Sequence, residues 1–355
     1  MSDAQLDRIT AGTLNFIGTV LGSITVSAAI TRPSATNLVF SANGNGNLTF
    51  SGATASLDAN GGDVTITLNG AVTSGGADAD IRADDVSITA GPGGIGSNSN
   101  PLILSATTLT TDTNDATDGN QFLSQVLSES DTVTIASGDL DAGTGTITLI
   151  DDTFFTTPTG SILSPAVIGS DAVLAGNGTT STVSVQSSAT VFPGTFTGTG
   201  ILNTGDISFA SGSTLEIEVN GSRLGSDYSQ LNVTGTVSLG GATLLTSGTI
   251  TSAPGQTIVL INNDGTDAVS GTFDGLADGA IVSINGVDFL LSYYGGNGND
   301  VTLTQAGGSL TFSDDDGAAD TFTIRRIGNT VQVLNGSTVL AGADRKSTRL
   351  NSSHG

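Results

Sequence analysis

The sequence predicts an all-β protein built as a parallel β-helix, with a β-roll or sandwich-like C-terminal part. Three observations predict this fold. Short β-branched segments recur along the chain, Gly, Asn or Asp punctuates them, and aromatic residues make up only 5% of the 355 residues. Short strands at such spacings are typical of stacked coils. The competing architecture, a β-sandwich, would call for longer strands and more aromatic core residues.

Within each segment, apolar residues alternate with polar ones, mostly Thr or Ser. The segments 64–68 (VTITL) and 215–219 (LEIEV) are two examples. A period of two buries one face of a strand and leaves the other in water. We therefore expect interior ladders of Val, Ile and Leu and exterior ladders of Thr, Ser and Asn. At about 20–25 residues per coil, the chain would form about 15 coils.

Three stretches depart from this regular pattern. The segment 120–127 (NQFLSQVL) is the best, though short, candidate for a helix. Four aromatic residues lie between positions 273 and 294, which indicates that the region 213–304 closes differently from the N-terminal coils, as a wider capped β-roll or a small sandwich. The run 328–341 (GNTVQVLNGSTVLA) contains an Asn-Gly pair between two apolar segments, which predicts a β-hairpin.

Composition excludes several classes of protein. The chain carries 33 Asp and Glu against 9 Lys and Arg, a formal net charge of −24. Nucleic-acid binding and binding to anionic membranes need clustered basic residues, so the charge argues against both. The absence of Cys excludes a disulfide scaffold, a Cys-ligated metal site and a Cys nucleophile. No apolar run approaches the length of a membrane-spanning helix.

The last residues do not resemble the rest of the chain. Residues 344–354 (DRKSTRLNSSH) resemble, codon for codon, the translation of a sequencing-library adapter, so we expect residues 344–355 to be a non-native tail. Leaving out Asp344 and three basic residues changes the net charge from −24 to −26. The remaining chain has no Lys and no His, so a Ser-His-Asp triad, a lysine Schiff base and a Walker lysine cannot form in it.

Two regions resemble known families of repeats. Residues 2–105, and most specifically 87–102 (SITAGPGGIGSNSNPL), resemble filamentous-haemagglutinin-like repeats of bacterial surface proteins. Residues 173–304 resemble the autotransporter-associated β-strand repeat, for example at 227–244 (DYSQLNVTGTVSLGGATL) and 293–304 (YYGGNGNDVTLT). The resemblance implies a large exported protein, a β-helix of right-handed coiling, and adhesion rather than chemistry. No transporter barrel or secretion domain accompanies these repeats.

The resemblance divides the chain into four parts. We expect filamentous-haemagglutinin-like repeats at 1–150, the autotransporter-associated region at 151–304, the start of a further β module at 305–343, and the tail at 344–355. The N-terminal residues lack the basic and apolar regions of a signal peptide. Either the protein is cytosolic or its export signal lies upstream, and the composition favours export to the extracellular bacterial surface.

Calcium is the one cofactor that the sequence suggests, and none is required. Asp300 ends the run 295–300 (GGNGND), which matches the start of a calcium-binding nonapeptide, although only one copy is present and a simple Gly/Asn turn explains it as well. Asp314 and Asp316 lie in the acidic run SDDDGAAD, whose spacing does not fit an EF-hand. Arg82 lies within a further acidic cluster of Asp78, Asp80, Asp84 and Asp85, which is a candidate active site, and a solvated loop whose arginine screens its neighbours is the alternative.

These observations predict a fragment of a large secreted or surface-displayed repeat protein that acts as a structural stalk or adhesin without catalysis. The expected partners are glycans or proteins of a host, cell surface or extracellular matrix, bound by many weak contacts. Open β edges, one of them near Ala343, predict self-association. The alternative function is a β-helix polysaccharide lyase or hydrolase, which would need several Asp side chains converging in one groove.

Overall fold

The structure, a computed structural model, describes residues 1–306 except 19–21, 77–78, 114–117, 127–132, 136–138, 152, 158, 196–197 and 251–254, together with the backbone of 322–327, 330–335 and 338–344. These residues form one short helix, α1 (Asp3–Leu6), and thirty-five strands. The first strands are β1 (Thr13–Gly18), β2 (Ile24–Val26), β3 (Ile30–Thr31), β4 (Asn37–Ala42), β5 (Leu48–Phe50), β6 (Leu57–Asp58), β7 (Val64–Thr67), β8 (Val72–Thr73), β9 (Ile81–Thr89), β10 (Leu102–Asp112), β11 (Gln121–Gln125) and β12 (Val133–Ile135).

The middle of the chain continues with short strands. They are β13 (Asp139–Asp141), β14 (Ile147–Ile150), β15 (Thr153–Thr156), β16 (Ser161–Ile162), β17 (Ala166–Ile168), β18 (Val173–Gly176), β19 (Thr179–Thr180), β20 (Val183–Val185), β21 (Thr190–Thr195), β22 (Gly198–Thr199), β23 (Ile201–Thr204), β24 (Ile207–Phe209), β25 (Thr214–Glu218), β26 (Gln230–Val233), β27 (Val237–Ser238) and β28 (Thr243–Ser247). The last strands are β29 (Thr257–Asn263), β30 (Ile281–Ile284), β31 (Val287–Gly295), β32 (Asp300–Gln305), β33 (Phe322–Ile327), β34 (Thr330–Asn335) and β35 (Thr338–Asp344).

The protein is all-β, and its strands pair in long, mainly parallel ladders. The first ladder joins β1, β4, β7, β9, β10, β13, β16, β19, β23, β26 and β29. A second runs through β2, β5 and β8, continues across a bridge at Ile95, and then joins β11, β14, β17, β20, β24 and β27. A third joins β12, β15, β18, β21, β25 and β28. This architecture is consistent with a β-helix-like fold.

Like residues stack inside these ladders. Leu38 pairs with Val64, Val64 with Val86, and Val86 with Leu109, and all four side chains are buried. Each fully buried aliphatic side chain of this kind stabilises the fold by about 1.5–3 kcal/mol. The polar residues between them face outward, as the period of two in the sequence predicts.

The spacing between paired strands varies along the stack. Leu38 pairs with Val64, but further along Ala166 pairs with Val183, about 17 residues away, and Asn232 pairs with Asn262, about 30 residues away. The first ladder therefore holds eleven of the described strands, fewer than the predicted 15 coils. Rungs of up to about 30 residues and the change of pairing after β29 account for the difference.

The N-terminal end of the stack is covered by α1. Leu6 of this helix is buried, and the Asp3 carboxylate accepts a hydrogen bond from the Thr31 N–H at 2.8 Å. The guanidinium of Arg32, only 2% exposed, donates to the Ile9 carbonyl oxygen at 2.9 Å. These contacts tie the first residues of the chain to the first rung and shield its apolar side chains from water.

The pairing changes direction at the other end. Strand β29 is parallel to β26 but antiparallel to β32, and β30, β31 and β32 pair antiparallel as successive neighbours. Phe289 and Phe273 are fully buried here, and the Tyr293 hydroxyl donates to the Leu276 carbonyl oxygen and accepts from the Phe273 N–H. The parallel ladders continue to β29, so the change comes later than the predicted position 213.

The helix candidate at 120–127 is not a helix, because residues 121–125 form strand β11. Its inward position at Gln121 holds a polar side chain, which hides the period of two. Gln121 is fully buried, and its amide donates to the Thr113 hydroxyl at 3.0 Å and to the Asp141 carbonyl oxygen at 2.8 Å. A buried amide with its hydrogen bonds made can occupy a core position that sequence patterning assigns to an apolar residue.

Beyond residue 321, the described backbone forms a separate antiparallel sheet of β33, β34 and β35. Asn335 and Thr338 lie opposite each other on either side of the predicted hairpin turn, and Asp344 is the last residue of β35. Residues 345–355 of the predicted tail lie outside the described residues. No helix among the residues that the structure describes is long and apolar enough to cross a membrane.

Candidate binding surfaces

An asparagine ladder runs along the outer face of the last parallel rungs. Asn203, Asn232 and Asn262 occupy the same register position of β23, β26 and β29. The Asn232 amide donates to Asn203 Oδ1 at 2.9 Å, and the Asn262 amide donates to Asn232 Oδ1 at 2.6 Å. Asn203 in turn donates to the Gly178 carbonyl oxygen at 3.3 Å. Stacked amides of this kind stabilise a parallel ladder and fix its register.

An open groove of about 360 Å³ lies at the start of this ladder. Its lining consists of Asn177, Thr199, Gly200, Ile201, Asn203 and Gly225. The groove forms where β21 and β22 make a short antiparallel hairpin that interrupts the parallel rungs. Glycine at position 200 lets the chain pass close to Asn177, because a Cβ there would lie 1.6 Å from Asn177 Oδ1 and 2.9 Å from the Gly194 Cα.

The groove offers amide, hydroxyl and backbone groups and one aliphatic side chain, and none of the described residues that line it is charged. Asn177 Oδ1 is inaccessible to water and has no hydrogen-bond partner among the described residues. The Thr199 hydroxyl donates to the Gly225 carbonyl oxygen at 3.1 Å, which links the two walls. Such a surface suits a neutral, polar ligand rather than an ion.

The loop that supplies Gly225 is held by an ion pair. Arg223 Nε and Nη2 donate to the two carboxylate oxygens of Asp227, both at 3.0 Å. The guanidinium lowers the pKa of Asp227, and the carboxylate raises the pKa of Arg223. Both groups are solvated, so the forked geometry orders the loop more than it stabilises the fold.

The acidic cluster around Arg82 does not converge on one point. Asp80 faces the interior, fully buried, and its carboxylate accepts a hydrogen bond from the Ile103 N–H at 2.9 Å. Burial raises the pKa of Asp80, although that hydrogen bond and others from the neighbouring turn lower it. Asp84 and Asp85 are exposed, and Asp85 accepts from the Thr108 hydroxyl. Asp78, the fourth acidic residue of this cluster, lies outside the described residues.

The run 295–300 forms the turn between β31 and β32, with Gly295 opposite Asp300. The Asp300 carboxylate is 6% exposed and accepts a hydrogen bond from the Asn263 N–H at 3.0 Å. Burial raises the pKa of Asp300, and this hydrogen bond lowers it. The turn therefore packs on the loop 263–267, and we call this contact, between residues 263–267 and 296–300, the turn–loop junction.

The other predicted calcium ligands, Asp314 and Asp316, lie outside the described residues. Among the residues that the structure describes, no group of three or more His, Cys, Asp or Glu side chains lies close enough together to hold a metal ion.

The asparagine ladder was not predicted from the sequence, although a signal for it is present. An apolar residue followed by Asn recurs in LN, LN and IN at positions 202, 231 and 261, with spacings of 29 and 30 residues between the asparagines. Isolated Leu-Asn pairs are common, and only the rung length shows which of them stack. The groove gives no such signal, because it arises from an interruption of the rungs.

The family-model and curated-protein comparisons give no match for this chain. No protein-family model matches it. A search of curated proteins finds no match either. The resemblance to bacterial surface repeats therefore stays a prediction.

Proposed function

We propose that this chain is part of an exported, surface-displayed repeat protein that serves as a structural stalk and adhesin. Its ladders would coil as a right-handed parallel β-helix, and its location would be the extracellular surface of a bacterium. The single observation that supports this proposal is the neutral, polar groove at the start of the asparagine ladder. It offers a binding surface on a repetitive scaffold.

The ligand that this surface fits is a neutral, hydroxyl-rich chain such as a glycan. Asn and Thr side chains both donate and accept hydrogen bonds, so they match sugar hydroxyls. The net charge of −24 repels acidic polymers at low ionic strength, which favours neutral ligands over acidic ones. Because this groove is shallow, we expect weak monovalent binding and a gain of about 100-fold or more when many copies are displayed together.

Binding of fluorescent neutral glycans to bead-displayed protein tests this proposal. Asn203→Ala removes a groove amide, and Asn15→Ala, on the exposed outer face of β1 in the same ladder, is the matched control. We expect the first variant to lose most of the binding and the second to bind as the parent does. Absence of neutral glycan binding, or equal loss in both variants, would contradict the adhesive part of the proposal.

Electron microscopy tests the stalk separately. Eleven parallel strands at a spacing of about 4.8 Å predict a rod of about 50 Å over the first ladder. A compact particle without this long axis would contradict the stalk while leaving glycan binding open.

A further inference from the structure

The turn–loop junction brings several carbonyl and side-chain oxygen atoms together. Asn297 Nδ2 donates to the Gly265 carbonyl oxygen at 2.7 Å, and Asn299 Nδ2 donates to the Asp264 carbonyl oxygen at 2.9 Å. Because both amide nitrogens donate to loop carbonyl oxygens, these hydrogen bonds show which end of each side chain is the nitrogen and which is the oxygen. Each carbonyl oxygen keeps a second lone pair.

Two amide oxygens in this junction are buried without a partner. Asn263 and Asn299 are 2% and 3% exposed, and the Oδ1 atom of each has no hydrogen-bond partner among the described residues. Asn263 Nδ2 donates to the Asp267 carbonyl oxygen at 2.9 Å, which fixes its orientation as well. A buried acceptor left unpaired costs about 1–3 kcal/mol, so two at one contact call for a bound donor or cation.

A buried carboxylate completes the set. Asp300 is 6% exposed and accepts one hydrogen bond, from the Asn263 N–H, and no ion pair to it is found in the described part of the chain. The turn backbone approaches it closely, because a Cβ on Gly296 would lie 1.8 Å from Asp300 Oδ2. A carboxylate buried in this way is stabilised by a positive charge that the described residues do not supply.

We propose that the turn–loop junction binds Ca²⁺, with the Asp300 carboxylate and the side-chain oxygens of Asn263 and Asn299 as ligands. Carbonyl oxygens of the loop 264–267 and water would complete the shell. Ca²⁺ takes six to eight oxygen ligands in flexible geometry, including carboxylates, amides and backbone carbonyls, whereas Mg²⁺ needs a stricter octahedron and retains water. The donors are all oxygen, which disfavours Zn²⁺.

Bound Ca²⁺ would join the antiparallel end of the fold to the last parallel strand, because Asn263 ends β29 and Asp300 begins β32. This inference does not depend on the proposed function. A protein with another role would bind the same ion at the same junction.

Terbium luminescence tests the site directly, since Tb³⁺ replaces Ca²⁺ on oxygen ligands. The chain has no Trp and three Tyr, and Tyr293 and Tyr294 immediately precede the turn. Excitation of tyrosine should therefore give Tb³⁺ emission that added Ca²⁺ displaces. Asp300→Asn should weaken Tb³⁺ and Ca²⁺ binding about tenfold or more. Asp288→Asn, an equal change of charge at an exposed position of β31, should leave it unchanged.

A second variant keeps the test decisive if Asp300→Asn fails to fold. Asn299→Asp adds a carboxylate ligand but loses the hydrogen bond to the Asp264 carbonyl oxygen. With a calcium site, this variant should melt lower than the parent without Ca²⁺ and recover as millimolar Ca²⁺ is added. If the junction holds only a buried water, Tb³⁺ emission is absent and neither parent nor variant changes its melting temperature with Ca²⁺. That result would overturn the proposal.

Discussion

The parallel ladders of residues 13–247 and the antiparallel sheet of β29–β32 connect their strands and bury their apolar side chains in different ways. In the ladders, paired strands are about 17–30 residues apart, and the core is mostly Val, Ile and Leu. In the C-terminal sheet, β30, β31 and β32 pair with their neighbours in sequence, and the aromatic residues Phe273, Phe289 and Tyr293 are buried together with aliphatic residues of the same strands.

The difference follows from how each kind of sheet is connected. Parallel strands need a crossover between partners, whereas antiparallel neighbours need only a turn. Within the stack, Val, Ile and Leu side chains are sufficient for the core, because every rung is covered by the next one. Where stacking stops, fewer neighbours cover the apolar surface, and large aromatic side chains supply the missing burial.

Of the variants that test this comparison, Phe289→Ala should lower the stability of the protein most. Truncating a fully buried phenylalanine costs about 3–5 kcal/mol in the free energy of unfolding. Because each part contacts mainly its neighbours, native-state hydrogen exchange should speed up in β29–β32 while amides of β7 stay protected. The matched variant Phe154→Ala, in the ladders, should instead expose the rungs around β15. Uniform loss of protection in both variants would mean that the two regions unfold as one unit.

Tyr293→Phe should cost about 1–3 kcal/mol in urea denaturation, because it leaves a buried N–H and a carbonyl oxygen without their partner. Tyr294 is 68% exposed, so Tyr294→Phe should change stability by less than about 0.5 kcal/mol. Equal effects of the two variants would show that the hydroxyl of Tyr293 does not hold the C-terminal sheet together.

Asn232→Ala tests the polar outer face of the ladders. It removes the two amide contacts of the asparagine ladder, and each such bond contributes about 0.5–1.5 kcal/mol. We expect a loss near the lower end of that range, since the face is partly solvated. Chemical denaturation compared with Asn15→Ala measures it. A loss of stability no larger than that of the control would mean that the stacked amides do not stabilise the fold.

Asp80→Asn should stabilise the protein at neutral pH, with a characteristic pH dependence. Burial raises the pKa of Asp80 above its ordinary 3.8. The stability that this group contributes is therefore fully present below pH 3.8 and lost as pH rises through its folded pKa. An amide stays neutral throughout, so the variant should be more stable than the parent at pH 7, by about 1 kcal/mol. Thermal melts across pH 3–8 measure the difference.

Asp206→Asn is the control, because the pKa of Asp206 is shifted in the opposite direction from that of Asp80. The N–H and hydroxyl of Thr236 lower the pKa of Asp206, so its contribution is present above pH 3.8 and lost as pH falls. The group is exposed, and the loss at pH 7 should be below about 1 kcal/mol. If both variants shift stability in the same direction at pH 7, the prediction that the interior carboxylate destabilises the fold and the exterior one stabilises it would be wrong.

The all-β class and the mainly parallel pairing could be predicted, because a period of two and frequent Gly and Asn are local properties. Register could not, because any apolar-Thr segment can stack on any other. Gln121 shows why β11 was missed, since its interior position is polar. Asp300 lies in a recognisable motif beside Asn299, whereas Asn263 is 37 residues away in sequence and only the folded chain brings it to the same junction.

The direction of the ladder hydrogen bonds has a mechanical consequence. They run from rung to rung, so a pulling force along the stack loads them directly, and each rung can open as a unit. A rung of about 17 residues would release roughly 60 Å of extended chain, and one of about 30 residues roughly 100 Å. The uneven spacing of the rungs thus sets an uneven series of extension steps, with the shortest steps in the middle of the stack.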